Sequence, residues 1–352
     1  MREVLPSETR VHDLVKDSQG YIWAAASDLG LGLINQRGKL RWLGDREGLR
    51  GRIYSVIEDG QQRLWVSTSE GLFLRRGERF YQVEQSIFRR GVYLRKLFRR
   101  PTGELVVVTG HQGFYRLEGK RWIQYASLDN PLENNVYAYF EDGQGQVWLG
   151  TLAGLYQFKN GRFLSADFQG KTIKQPVYLL LKDKQGYLWI GTNQGVYCWT
   201  GSKLLHFDKS LGLAGDEINR SAGFVDSQGH LWLGTDSGVS CYQPESDLAL
   251  EEISPPIVSL ESVEVGHQIF PLHQPLSLQY NENNLIFNFR VISFLDENRI
   301  FYRERLLGFD ENWSESRRLQ VLFEKYTNLP PGKYIFQIQA RNVLGQWSPP
   351  VS

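Results

Sequence analysis

Six histidines, two cysteines and a few adjacent carboxylates are the residues of this sequence best equipped to cleave bonds or hold metal. His12, His111, His206, His230, His267 and His273 match neither HExxH nor any other zinc-ligand spacing, and Cys198 and Cys241 are isolated thiols. No metal or cofactor is therefore assigned. Pairs such as Glu58-Asp59 and Glu141-Asp142 fall on consecutive strand positions, which point to opposite faces and cannot share one substrate bond. The turn "DGQGQ" lacks the alternating acids of a calcium loop, and neither a Walker loop nor a Gly-x-Ser-x-Gly elbow is present. The sequence predicts a protein that is not an enzyme.

Binding chemistry is better represented. Polar and aromatic residues gather in the segments "LRGRIY", "RRGVY", "ENNVY" and "DEINR", and in the turns "TGHQG", "TNQG" and "TDSG". Arg52, Arg90, Tyr93, His111, Asn135, Asn219 and Arg220 are the candidate ligand-binding residues, because loops on a rigid scaffold present such groups without disturbing the core. A basic run, Arg89-Arg90 and then Arg95 through Arg100, offers contacts to a phosphate or an anionic glycan; a solvated strand face is the commoner origin of such a run.

The elements that position these segments are written as a repeat. Trp23, Trp65, Trp148, Trp189 and Trp232, with Val106 in a degenerate unit, recur at spacings of 42, 41, 42, 41 and 43 residues. A period of this length indicates a propeller or a solenoid. Each unit shows apolar alternation in four short runs separated by turn residues, hence four strands joined by hairpins. Asp17, Asp59, Asp142, Asp183 and Asp226 stand six residues before their tryptophan, where Asp closes a turn by accepting from the backbone two residues on. Unit two has Gln62 where most units have Gly, and unit three has Arg100 in place of the Asp. Four-stranded blades bury their faces only against each other, so the tryptophans are expected between blades. Burying one is worth on the order of 5 kcal/mol as an upper bound.

The fold class is thus all-β, with six propeller repeats visible. Closure by the N-terminal "REVLP" as the last blade's fourth strand is one possibility, and a seven-bladed ring with a missing blade is the other. After "EEISPPIVSL" the period stops, which divides the chain into residues 1–252 and 253–352. The second part reads as an immunoglobulin- or fibronectin-like β-sandwich, with Tyr334, Phe336, Ile338 and Ala340 on its core face. Cys198 and Cys241 sit at the same position of neighbouring units, too far apart for a disulfide.

The phrase Asp-x-x-Gly-x-Leu-Trp-x-Gly-Thr-x-x-Gly-Leu, followed by "FYRERLLGFDENW" and "YTNLPPGKYIFQIQARNVLGQWS", resembles the two-component regulator propeller repeat followed by a triple-tyrosine (YYY) domain. The resemblance implies the extracytoplasmic, periplasmic sensor of a membrane-anchored bacterial receptor, with a histidine kinase or diguanylate cyclase output outside these residues. It makes a small molecule or an oligosaccharide the expected ligand, and the sensor reading predicts a homodimer through the C-terminal sandwich. Lys plus Arg number 40 against 39 Asp plus Glu, so no global field points to nucleic acid. A propeller enzyme acting on glycans or cyclic peptides, or a protein-interaction scaffold, is the alternative reading.

Overall fold

The computed structural model describes residues 10–83, 88, 91–245, 254–266, 268–272, 275–293, 295 and 299–352. These divide into two compact units, Met1–Glu245 and Ser246–Ser352. The boundary expected at 252/253 falls outside the described residues, as do the "REVLP" segment, Arg90, His267 and His273.

The first unit is built of six antiparallel meanders, here numbered blades 1 to 6. Their innermost strands are Val11–Lys16, Ile53–Glu58, Leu94–Arg99, Val136–Glu141, Val177–Lys182 and Ile218–Val225. Blades 1 to 5 have four strands each, paired in chain order, and blade 6 shows three among the described residues. Each innermost strand packs beside that of the next blade, from Val11–Lys16 through to Ile218–Val225. A two-stranded hairpin, Asp167–Phe168 with Lys171–Thr172, links blades 4 and 5.

The repeat phrase explains this geometry residue by residue. Asp59 Oδ1 accepts from the backbone of Gln61 and Arg63 at 2.9 Å each, while Oδ2 accepts from Trp65 Nε1 at 2.8 Å. Asp17, Asp183 and Asp226 hold Trp23, Trp189 and Trp232 in the same way, at 2.8, 2.7 and 3.0 Å. The aspartate therefore shapes the turn, as expected, and also satisfies the buried indole N–H, which would otherwise weigh against packing the ring. Gln62 takes the turn glycine's left-handed backbone at φ 59. Gly195, opening a third strand at φ +97, would place a Cβ 2.2 Å from the Phe207 carbonyl oxygen, so no side chain fits there.

Trp23, Trp65, Trp148 and Trp189 lie buried between blades, whereas Trp232 is 41% exposed. Trp23 packs with Ile53, Val56, Leu64, Val66 and Phe73 of blade 2, and Arg75 lies over its ring at 5.0 Å. Trp65 meets Trp122 of blade 3 edge-on at 6.1 Å. Trp189 meets Tyr242 of blade 6 at 5.3 Å. Each ring thus faces the following blade. Cys198 and Cys241 are both free.

The second unit is a two-sheet sandwich. One sheet orders Gln268–Pro271, Ile257–Val265, Leu285–Ile292 and Phe323–Tyr326; the other orders Arg317–Arg318, Phe301–Leu307 and Ile335–Arg341. Val263, Leu285, Phe287 and Phe289 from the first face Tyr302, Leu306, Phe336, Ile338 and Ala340 from the second. Phe287 stacks on Phe336 at 4.2 Å and 7°. The core face read from the sequence is thus observed, with Tyr334 at its margin donating to the Pro330 carbonyl at 2.6 Å.

Asp310 is a local clamp, accepting from Leu306 N–H at 2.6 Å and from the Tyr326 hydroxyl at 3.0 Å. Burial and this bond to Asp310 push the Tyr326 phenol well above its ordinary value. Asp310→Ala removes the oxygen that accepts both bonds and is expected to cost this unit about 1–2 kcal/mol, read as a lower urea midpoint at unchanged slope.

Candidate functional site

The innermost strands share an irregularity that the sequence reading did not anticipate. In blade 2, Ile53 pairs with Thr68 and Ser55 with Ser67, which leaves Tyr54 as an extra residue. The same bulge makes His12 the extra residue in blade 1, Arg95 in blade 3, Tyr137 in blade 4 and Tyr178 in blade 5. Blade 6 has a larger one, with Asn219–Ala222 opposite Gly234 alone. A bulge re-aims the extra side chain and breaks the two-residue alternation. Here it does so at one end of every innermost strand, where the six strands converge.

The bulge residues form a belt. His12 meets Tyr54 at 6.4 Å, and Tyr54 meets Tyr93 edge-on at 4.8 Å. The Arg95 guanidinium lies 5.0 Å from the Tyr93 ring centre and 4.0 Å from that of Tyr137. Tyr137 meets Tyr178 at 5.0 Å, and exposed Arg220 lies over both rings, at 5.1 and 5.8 Å. Six blades thus contribute to one aromatic and cationic belt, in which Tyr137 and Tyr178 are buried and Tyr93 and Arg220 are exposed.

Arg95 is its centre of charge. Its Nη2 donates to Asn135 Oδ1 at 2.8 Å, while its buried Nε has no partner. It forms no ion pair with any carboxylate among the described residues. Burial, with repulsion from Arg220, draws the guanidinium below its ordinary value, opposed by the tyrosines around it. A half-buried cation without a counterion favours an incoming anion. Burial and nearby Arg10 likewise lower the His12 imidazole, against the attraction of Asp28 and Asp13.

One residue deeper, the charges are consumed by the fold. Buried Asp13 accepts from Ser55 Oγ at 2.6 Å, from Val56 N–H at 3.1 Å and from Lys96 Nζ at 2.6 Å, tying blades 1, 2 and 3 together. At the far end of the innermost strands lies an open cavity of about 610 Å³ lined by Arg100, Tyr139, Glu141 and Leu180 among others. Arg100 there donates to both Glu141 oxygens, at 2.8 and 2.9 Å, and to Glu104. Burial alone would raise the Glu141 carboxyl, but the bonds from Arg100 and Tyr139 hold it below its usual range. Arg100 in that mouth is held in ion pairs, whereas Arg95 in the belt has no carboxylate partner among the described residues.

The sequence-derived candidates divide accordingly. Tyr93, Asn135 and Arg220 are brought together around Arg95. Arg52 is exposed next to Tyr54, its backbone N–H donating to Ser69 Oγ at 3.0 Å, and its charge lowers the Tyr54 phenol against the dominant upward push of burial. Asn219 lies in the blade 6 bulge, with Nδ2 donating to the Thr235 carbonyl at 2.7 Å. His111 is exposed on a turn and no ring contact or hydrogen bond joins it to the belt. Of the basic run, Lys96 and Arg100 are spent on structural pairs and Arg95 alone is shown on the belt.

His12, Tyr54, Tyr137 and Tyr178 escaped the sequence reading because they lie inside predicted strands. The signal was nevertheless present. His12, Tyr54, Arg95, Tyr137 and Tyr178 all stand 11 residues before the aligned tryptophan or Val106. Arg52, Tyr93, Asn135 and Asn219 stand 13 before it, two positions away.

Comparison with known proteins supports the fold. The two component regulator propeller family matches residues 130–153 and 173–194, and the Y_Y_Y domain family matches 293–351. Over 368 aligned residues, 97% of this chain, the sequence is 22% identical to histidine kinase P4 of Formosa agariphila, of which it spans 24%. A solved extracellular domain assigned to a one component system of B. thetaiotaomicron superposes with a TM-score of 0.53 at 18% identity, over 99% of this chain and 56% of that one. A virginiamycin B lyase from Staphylococcus aureus superposes with a TM-score of 0.51 at 10% identity, over 71% of this chain and 89% of that one. The chain thus combines two-component regulator propeller repeats with a C-terminal Y_Y_Y domain.

Proposed function

We propose that this chain is the extracytoplasmic sensing region of a membrane-anchored bacterial signalling receptor, and that the bulge end of its propeller binds an acidic oligosaccharide. The observation that carries the reading is the belt itself. The exposed Tyr93 ring offers a face on which a sugar ring stacks, and Arg95, half-buried and without a counterion among the described residues, supplies the group that pairs with a carboxylate or sulfate. The Y_Y_Y sandwich relays occupancy to a kinase or cyclase beyond these residues and pairs with a second copy. The likeness to a histidine kinase and to an extracellular domain supports the placement. No helix of the described residues is long and apolar enough to cross a membrane, so the reading assigns the anchor to another part of the receptor.

The fold is shared with a lyase, but the belt's chemistry favours binding over turnover. Its imidazole, His12, bonds to Ser27 Oγ and lies edge-on to Tyr54, with Asp28 and Asp13 near enough to attract it. Titration calorimetry of neutral and acidic oligosaccharides tests the proposal. Saturable binding of acidic members, unchanged substrate after incubation, and loss of binding with Tyr93→Ala are expected. Binding that ignores the belt, or cleavage of the saccharide, would overturn it.

A pH dependence follows from His12. Its pKa lies below the ordinary 6.5, which leaves it neutral at pH 7, and protonation on further acidification adds a cation beside Tyr54. Affinity for a sulfated oligosaccharide, which keeps its charge, is expected to rise about two- to fivefold once the pH falls far enough to protonate His12. His12→Gln should abolish the rise.

A further inference from the structure

The outer face of the sandwich's second sheet carries arginines laid against aromatic rings. Alternate positions of Phe301–Leu307 and Ile335–Arg341 share that face, so Phe301, Arg303 and Arg305 stand across from Arg341, Gln339 and Gln337. The Arg305 guanidinium lies 4.5 Å from the Trp313 ring centre, and that of Arg303 lies 4.4 Å from the Trp347 ring centre. Arg341 lies between Trp347 at 5.4 Å and Phe301 at 5.0 Å.

The two faces of this sheet treat their cations differently. Arg317, paired across from Tyr302 on the core side, bonds to the carboxylates of Glu304 and Glu324. Arg303, Arg305 and Arg341 form no ion pair among the described residues. Arg303 and Arg305 donate instead to the neutral amides of Gln339 and Gln337, each at 2.9 Å. Arg341 lacks even that, since its Nε is buried without a partner. Burial and repulsion from Arg303 draw its guanidinium below the ordinary value.

Arg341 also lines a cavity of about 300 Å³, together with Arg299, Phe301, Arg318, Asn342 and Val343. Arg318 and Arg341 flank Phe301 from its two neighbouring strands. No carboxylate stands among the lining residues.

We propose that this cavity is an oxyanion site, which takes a phosphate or sulfate group on the arginines around Phe301. Stacking fixes the plane of the Arg341 guanidinium before a ligand arrives and leaves its N–H edge to pair with oxygen. A tetrahedral anion offers acceptors in several directions at once, which suits donors converging from separate strands. Two copies meeting symmetrically through this face would set the same arginines against each other, so a second copy is not its occupant.

The test uses the 352-residue chain carrying Arg95→Ala, which removes the propeller's own anion contact and keeps this result independent of the sensing proposal. Inorganic phosphate is titrated by calorimetry at constant ionic strength, and flotation with phosphatidylglycerol vesicles runs in parallel. Saturable binding is expected, weakened about tenfold or more by Arg341→Gln. Arg305→Gln, which removes an equally stacked cation four residues along the strand from Phe301, should change it by less than about twofold. Exposed Arg318→Gln should also weaken binding, and it answers the question if Arg341→Gln fails to fold. Vesicle binding that depends on Arg341 would make a lipid headgroup the source of the anion, and phosphate binding alone would make it a soluble ligand. Absence of binding in both arms, or equal losses from Arg341→Gln and Arg305→Gln, would overturn the proposal.

Discussion

Trp189→Ala is expected to destabilise the propeller by about 3–5 kcal/mol, the range for emptying a large aromatic site in a packed core. The ring is buried between blades 5 and 6, against Phe207 at 6.0 Å and Tyr242 at 5.3 Å, so its loss opens a void with partners on both sides. It also removes the indole donor to Asp183, a carboxylate buried within the turn. Trp232→Ala should cost less than half as much, since that ring keeps its bond to Asp226 but faces no following blade. Urea unfolding of the two variants side by side measures the difference. Equal costs would mean that the tryptophans act within their own sheets and not between sheets.

Arg95→Ala is expected to weaken binding of an acidic oligosaccharide by about 2–4 kcal/mol, a thirtyfold or greater loss of affinity. The guanidinium is stacked between Tyr93 and Tyr137 and positioned by Asn135, so its planar fork is held before the ligand arrives. Arg95→Lys keeps the charge but not the fork, and should recover only part of the loss. Lys96→Met serves as a control: it breaks the buried pair with Asp13 and should lower stability while leaving affinity for ligand nearly intact. If the two variants behaved alike, Arg95 would be a structural residue rather than a recognition residue.

The contrast between these residues shows what the sequence made legible. Asp183, Trp189 and Gly195 recur in phase because every blade needs the same turn, the same wedge and the same tight hairpin, so repetition exposed the scaffold. The belt was partly visible through Tyr93, Asn135 and Arg220, which lie at or near strand ends where exposed polar residues attract notice. Tyr54, Tyr137 and Tyr178 were hidden because each follows the aliphatic residue that opens an inner strand, and strict alternation then assigns it to a sheet face. The bulge that overrides alternation is a property of pairing between two strands and has no signature within one. The variable column 11 residues before the tryptophan, holding His12, Tyr54, Arg95, Tyr137 and Tyr178, was its only trace. The exposure of Trp232 and Leu14, at 41 and 59%, was likewise invisible, because both residues keep their repeat identities.

The central claim, that ligand is read at the bulge end, is tested most directly by hydrogen exchange of the 352-residue chain with and without a saturating acidic oligosaccharide. Protection is expected in the amides around His12, Tyr54, Tyr93–Arg95, Tyr137, Tyr178 and Asn219–Ala222, contributed by all six blades. Protection confined to the opposite mouth around Arg100 and Glu141, or spread without preference over the outer strands, would contradict it.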